Sequence, residues 1–101
     1  MLEKENKRRD RLYIIAEILK IAEDGSLKTQ IMYKANLSFA QLNEYLSFLL
    51  QMELLEIRKE KRKKIYVTTT KGLEYLGKYG EISILLGNND RKTVLNLTTF
   101  R

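Results

Sequence analysis

The sequence has no histidine, no cysteine, no proline and no tryptophan. Without histidine or cysteine, the usual zinc sites, thiol nucleophiles and Ser-His triads are excluded. No disulfide can support the fold, which fits a reducing compartment but also permits others. No apolar run approaches the roughly 20 residues that a membrane-spanning helix needs. The charged start MLEKENKRRDR leads into LYIIAEILKIAE, which Glu17, Lys20 and Glu23 interrupt. No small-residue cleavage site follows, so a secretory leader is not expected. Carboxylates, lysines and tyrosines remain available for chemistry. The acidic pair Glu23-Asp24, however, sits beside a glycine at a helix end, and no Gly-rich phosphate loop or EF-hand pattern occurs. The expectation is a soluble cytoplasmic protein that is not an enzyme, with no cofactor, no metal and no small-molecule ligand evident.

Positive charge is what the chain has in excess. Its 101 residues suit one domain, and 44% hydrophobic against 32% charged residues marks it as globular. Nineteen Lys and Arg against thirteen Asp and Glu leave a formal charge of +6. Arg58, Lys59, Lys61, Arg62, Lys63 and Lys64 pack six cations into one short run, offset only by Glu60. Lys4, Lys7, Arg8, Arg9 and Arg11 form a second group, so the two together hold eleven of the nineteen basic residues. Glu3, Glu5 and Asp10 dilute the second group, which argues against a polybasic membrane anchor.

Hydrophobic periodicity organises the rest. Leu12, Ile15, Ile18, Leu19 and Ala22 recur at helical steps, with Asp10 as N-cap and Asp24-Gly25 as the stop. Ser26 to Lys28 is a short extended link, and Thr29 to Ala35 a short second helix. Asn36-Leu37 makes a turn, and Ser38 caps a third helix reaching about Met52. Leu42, Leu46 and Leu49 line its inner face, with Leu50 and Tyr45 beside it. Phe48 projects away from that stripe, either onto the hairpin or first helix or towards another subunit.

The period then changes to alternation at Leu55 and Ile57, and Ile65-Tyr66-Val67 resumes it. The basic run between them reads as the long tip of a two-stranded hairpin. Thr69 or Thr70 caps a fourth helix with a stripe of Leu73, Leu76, Tyr79 or Gly80, Ser83 and Leu86. A competing reading breaks this helix near Gly80 and pairs Ile82–Leu86 with Thr93–Leu97 as strands.

The order helix, link, helix, turn, helix, basic hairpin, helix is that of a winged helix-turn-helix domain, mainly α with a small β-hairpin. The stretch from Leu12 to about Leu86 resembles the small archaeal winged-helix DNA-binding proteins, which include transcriptional regulators and dimeric chromatin-type proteins. The likeness rests on IMYKANLSFAQLNEYLSFLL (Ile31 to Leu50) and on Tyr66-Val67-Thr68-Thr69-Thr70-Lys71-Gly72, with its Thr-x-x-Gly start to the last helix. Two departures stand out. Glu53 replaces the glycine that commonly ends the recognition helix, and three glycines interrupt the final helix. The resemblance implies a C-terminal dimerisation helix, often an antiparallel coiled coil. The division expected is a basic arm at 1–9, the winged domain at 10–69, the dimerisation helix at 70–86 and a tail at 87–101.

Double-stranded DNA and a second copy of the chain are therefore the expected partners. Ser38, Gln41, Asn43, Glu44 and Ser47 are the candidate base-reading side chains, since Asn and Gln match adenine and Glu accepts from cytosine. Arg58, Lys59, Lys61, Arg62, Lys63 and Lys64 of the wing are candidates for phosphate. Lys7, Arg8 and Arg9 of the arm, with Lys28 and Lys34 of the second helix, share that role. Leu73, Leu76, Tyr79, Ile82 and Leu86 are the candidate dimer interface. Transcriptional regulation is the leading expectation, with a nucleoid location in a prokaryote. An architectural binder with little sequence preference is the alternative, then a protein-interaction module, and RNA a weaker third.

Overall fold

The computed structural model describes residues 9–87. Lys7 and Arg8 of the arm, and the tail from residue 88 onward, lie outside the described residues. In chain order the elements are α1 (Arg11–Ile21), α2 (Lys28–Ala35), α3 (Phe39–Gln51), β1 (Leu55–Glu60), β2 (Lys63–Thr68) and α4 (Thr70–Leu85). The expected class, mainly α with one hairpin, is the class observed.

Three helices begin where a short polar side chain meets the orphan amides of a first turn. Asp10 accepts from Tyr13 N, Ser38 from Gln41 N and Thr69 from Gly72 N. Helix α2 begins differently, with Gln30 Oε1 accepting from Leu27 N at 3.0 Å. Asn36 ends α2 in a left-handed conformation (φ 55°), and Leu37 N closes back onto Met32 O at 3.1 Å. That reversal drives the buried Leu37 into the core and sets α3 across α2.

Ile18, Leu19, Ile31, Leu42, Leu49 and Leu55 are the largest fully buried side chains, one or two from each of α1, α2, α3 and β1. Each contributes about 1.5–3 kcal/mol by leaving water. The hairpin docks through its root: Thr68 N donates to Ala22 O, and Thr68 Oγ1 to Leu19 O at 2.7 Å. Ser26 and Tyr66 exchange backbone hydrogen bonds in both directions, so the link before α2 lines the open edge of β2.

Helix α4 is unbroken from Thr70 to Leu85, which rules out the strand reading of Ile82–Leu86. Its glycines weaken intrinsic helicity, but Gly72, Gly80 and Ser83 are buried, and packing outweighs propensity. The helix runs antiparallel to α1: its start lies beside Leu19, and the Tyr75 hydroxyl reaches Leu12 O at 2.8 Å. At about 1.5 Å per residue, the final turns of α4 extend past the beginning of α1.

Candidate nucleic-acid interface

The turn between α2 and α3 decides which side chains of α3 are free. Ser38 and Gln41 form a reciprocal capping box: Ser38 Oγ accepts from Gln41 N at 3.1 Å, and Gln41 Oε1 accepts from Ser38 N at 3.0 Å. The carbonyl half of the Gln41 amide is thereby committed to the backbone. Asn43 is half-buried, and its amide has no hydrogen-bond partner among the described residues; Glu44 and Ser47 are exposed. Tyr45 packs against the core as expected, and Phe48 stays exposed.

Cations surround this helix without lying on it. Arg9 donates from Nη2 to Ala35 O at 2.7 Å, so it neutralises the carbonyl end of α2 rather than extending freely. Lys34 is exposed on the last turn of α2. Lys28 places Nζ 4.6 Å from the centroid of the Phe39 ring, a cation–π contact between the first residues of α2 and α3. Sequence reasoning gave Phe39 no role; the available signal was an aromatic residue directly after the cap of a helix that lacks cations.

The hairpin is longer and tighter than expected. Its ladder runs from Leu55↔Thr68 to Glu60↔Lys63, so most of the basic run lies within strands and the tip is only Lys61-Arg62. Both tip residues have positive φ (48° and 72°), the requirement of a type I′ turn. The expectation of a long basic tip fails because an alternating hydrophobic pattern marks only the buried root of a hairpin. The ladder continues outward through charged residues that packing does not select.

All six wing cations are exposed. Arg58 is held by Glu56 at 2.9 Å, and among the described residues none of the other five has an ion-pair partner. Lys59 and Lys64 are directly opposed across the ladder and therefore share a face. Two like charges in that position repel, which makes the wing an anion-seeking surface.

On α4, Leu76 packs against the domain's own core and Tyr79 stacks on Tyr75, with ring centroids 6.2 Å apart. Leu73, Ile82 and Leu86 are exposed, and Leu85, absent from the expected interface, is 82% exposed. Burial, reinforced by the nearby Tyr79 and Asp10, pushes the Tyr75 hydroxyl up to about 12. Burial also raises that of Tyr79.

Comparison with known proteins places this geometry. A family model described as winged helix-turn-helix matches residues 8–86. The uncharacterized protein MJ0290 of Methanocaldococcus jannaschii is 38% identical over 80 residues, 78% of this chain and 36% of that protein. The chain thus spans about a third of that relative's length. Among solved structures, Sso10a-2, a DNA-binding protein from Sulfolobus solfataricus, is similar with TM-score 0.72 and 25% identity. That match covers 92% of this chain and 98% of Sso10a-2. NMB1585, a MarR family regulator from Neisseria meningitidis, matches with TM-score 0.57 and 15% identity over 94% of this chain and 72% of its own. At that identity the likeness concerns the fold alone.

Proposed function

Because the chain belongs to the winged helix-turn-helix family, we propose that it binds double-stranded DNA and regulates transcription. In this reading α3 lies in the major groove and the β1–β2 hairpin tracks phosphate. One observation carries it: five of six exposed wing cations lack an ion-pair partner among the described residues, and two of them, Lys59 and Lys64, face each other. A polyanion relieves that repulsion and releases counterions on binding. The description of Sso10a-2 as a DNA-binding protein supports the same reading.

Lys28 and Lys34, with Lys7 and Arg8, complete the backbone contacts, and Arg9 adds the N–H groups that its bond to Ala35 O leaves over. Asn43, Glu44 and Ser47 face the bases, with Ser38 and Gln41 at the helix start. Two chains then pair through the projecting end of α4, where Ile82, Leu85 and Leu86 leave apolar surface open. A two-fold homodimer presents two wings and two recognition helices. No helix among the described residues is long and apolar enough to cross a membrane. From the DNA-binding reading we infer a cytoplasmic location, nucleoid-associated in a prokaryote.

One observation favours a second reading, architectural binding with little sequence preference. Helix α3 carries no Lys or Arg, and its capping box already uses Ser38 and half of Gln41. Duplex gel shifts across a salt series test the shared part. Affinity is expected to fall steeply between about 50 and 200 mM salt, and replacing Lys61, Arg62, Lys63 and Lys64 by Ala is expected to weaken every sequence alike. Flat salt dependence, or no duplex binding, would favour a protein-interaction module. Selection of bound sequences from a random pool separates regulator from architectural protein. Sedimentation of Ile82→Lys/Leu86→Lys tests pairing: the wild type is expected as a dimer and the variant as a monomer.

A further inference from the structure

The recognition helix, FAQLNEYLSFLLQ, offers no arginine or lysine to guanine, the commonest specific base contact. Its first turn instead opens with Phe39, 61% exposed, followed by the exposed Ala40. A phenyl ring in that position has no core to enter. The Lys28 ammonium lies over one face of the ring at 4.6 Å, and the residue as a whole stays exposed. Phe39 and Lys28 begin α3 and α2 respectively. In a helix-turn-helix the start of the second helix meets base edges, while the first helix crosses the phosphate backbone. Asn43 lies one helical turn beyond Phe39 on the same side of α3, with its amide unpartnered among the described residues.

Building on the DNA-binding reading above, we propose that Phe39 is a thymine reader. Its ring packs on the thymine 5-methyl group in the major groove, and Lys28 fixes the ring while its charge faces the adjoining phosphate. Apolar contact is the only direct way to sense that methyl, and phenylalanine is among the side chains that make it. Asn43 complements it, because its amide matches N6 and N7 of adenine. The target class is duplex DNA that displays thymine methyls at the positions covered by the start of α3. Base identity is then sensed by shape and a neutral amide, and positive charge is left to the wing.

The test compares two probes: a duplex of alternating adenine and thymine, and the same duplex with deoxyuridine at every thymine. The wild type is expected to bind the thymine duplex at least about fourfold more tightly, the value of one buried methyl group. Phe39→Ala, at an exposed position that the fold tolerates, is expected to bind both duplexes alike and to keep the wild-type salt dependence. Equal wild-type affinity for the two probes, or a thymine preference that survives in Phe39→Ala, overturns the assignment but leaves DNA binding in place. Failure to bind either duplex at low salt overturns the DNA-binding reading and the thymine assignment with it.

Discussion

The α-carbon of Gly72 lies against the carbonyl oxygen of Leu54, so close that a methyl group on Gly72 would overlap both that oxygen and Thr68 Cγ2. The same carbonyl accepts from Thr69 N at 3.1 Å, and Thr69 Oγ1 donates to Glu53 O at 2.7 Å. Together these contacts clamp the start of α4 onto the chain leaving α3. They give the Thr-x-x-Gly motif a physical meaning: threonine caps the helix, and glycine lets it approach the backbone of the wing root. Wing and recognition helix are held in one relative position by this junction.

Gly72→Ala is therefore expected to cost about 1–3 kcal/mol through overpacking, lowering Tm by at least about 5 °C in a domain of this size. Gly77 is the control. A Cβ there meets nothing within 4 Å, so Gly77→Ala is expected to stabilise by up to about 1 kcal/mol through helix propensity. Thermal melts of both variants check the pair, and equal responses would refute the junction argument.

Glu53 keeps the left-handed conformation (φ 62°) that glycine adopts with ease. Leu54 N still closes onto Leu49 O at 2.8 Å and Glu53 N onto Leu50 O at 3.0 Å, a complete Schellman ending. The turn thus has the shape that glycine would give it, at a cost of about 1 kcal/mol for a residue with a Cβ. Glu53→Gly is expected to raise the denaturation midpoint in urea, and Glu53→Val to lower it, since branching at Cβ worsens the same clash.

Lys61 and Arg62 both hold positive φ at the wing tip, again without glycine. Lys61→Asn/Arg62→Gly supplies the preferred type I′ pair and is expected to raise Tm. The same variant removes two cations per chain and is expected to weaken duplex binding and flatten its salt dependence. Stability and affinity moving in opposite directions is the signature to look for. A variant that binds DNA unchanged would take the tip out of the interface.

Tyr75 makes stability depend on alkaline pH. Its hydroxyl titrates near 10.0 when unfolded and about 12 when folded, chiefly through burial. The folded state therefore holds the proton more tightly. That stabilisation is complete below pH 10 and is lost as pH rises through about 12. Chemical denaturation across that window is expected to show falling stability. Tyr75→Phe is expected to flatten the fall, while costing about 0.5–1.5 kcal/mol at neutral pH for the lost bond to Leu12 O.

Much of the scaffold was legible because its signals are local. Asp10, Ser38 and Thr69 cap helices through amides three residues away. The buried stripes of α1 and α3 follow helical spacing that needs no partner to be recognised. Asn36, a residue that tolerates left-handed geometry, marked the turn. The sequence reading took Ser38 as a cap but missed the reciprocal role of Gln41, although the Ser-x-x-Gln spacing signals it; the capping box shows that two base-reading candidates first serve the backbone. The Lys28–Phe39 contact was not readable, because it joins residues on different helices and depends on how α2 and α3 cross.

The sequence by itself determined where α1, α3 and α4 start, which face α3 buries and that the excess charge lies outside the recognition helix, since short-range hydrogen bonding and hydrophobic period decide these. Only the tertiary structure decided the rest. It carried the β-ladder out through the lysines to a two-residue tip, kept Glu53 in a glycine conformation and ran α4 unbroken past its glycines. In each case packing and pairing between distant segments outweigh local preferences worth about 1 kcal/mol.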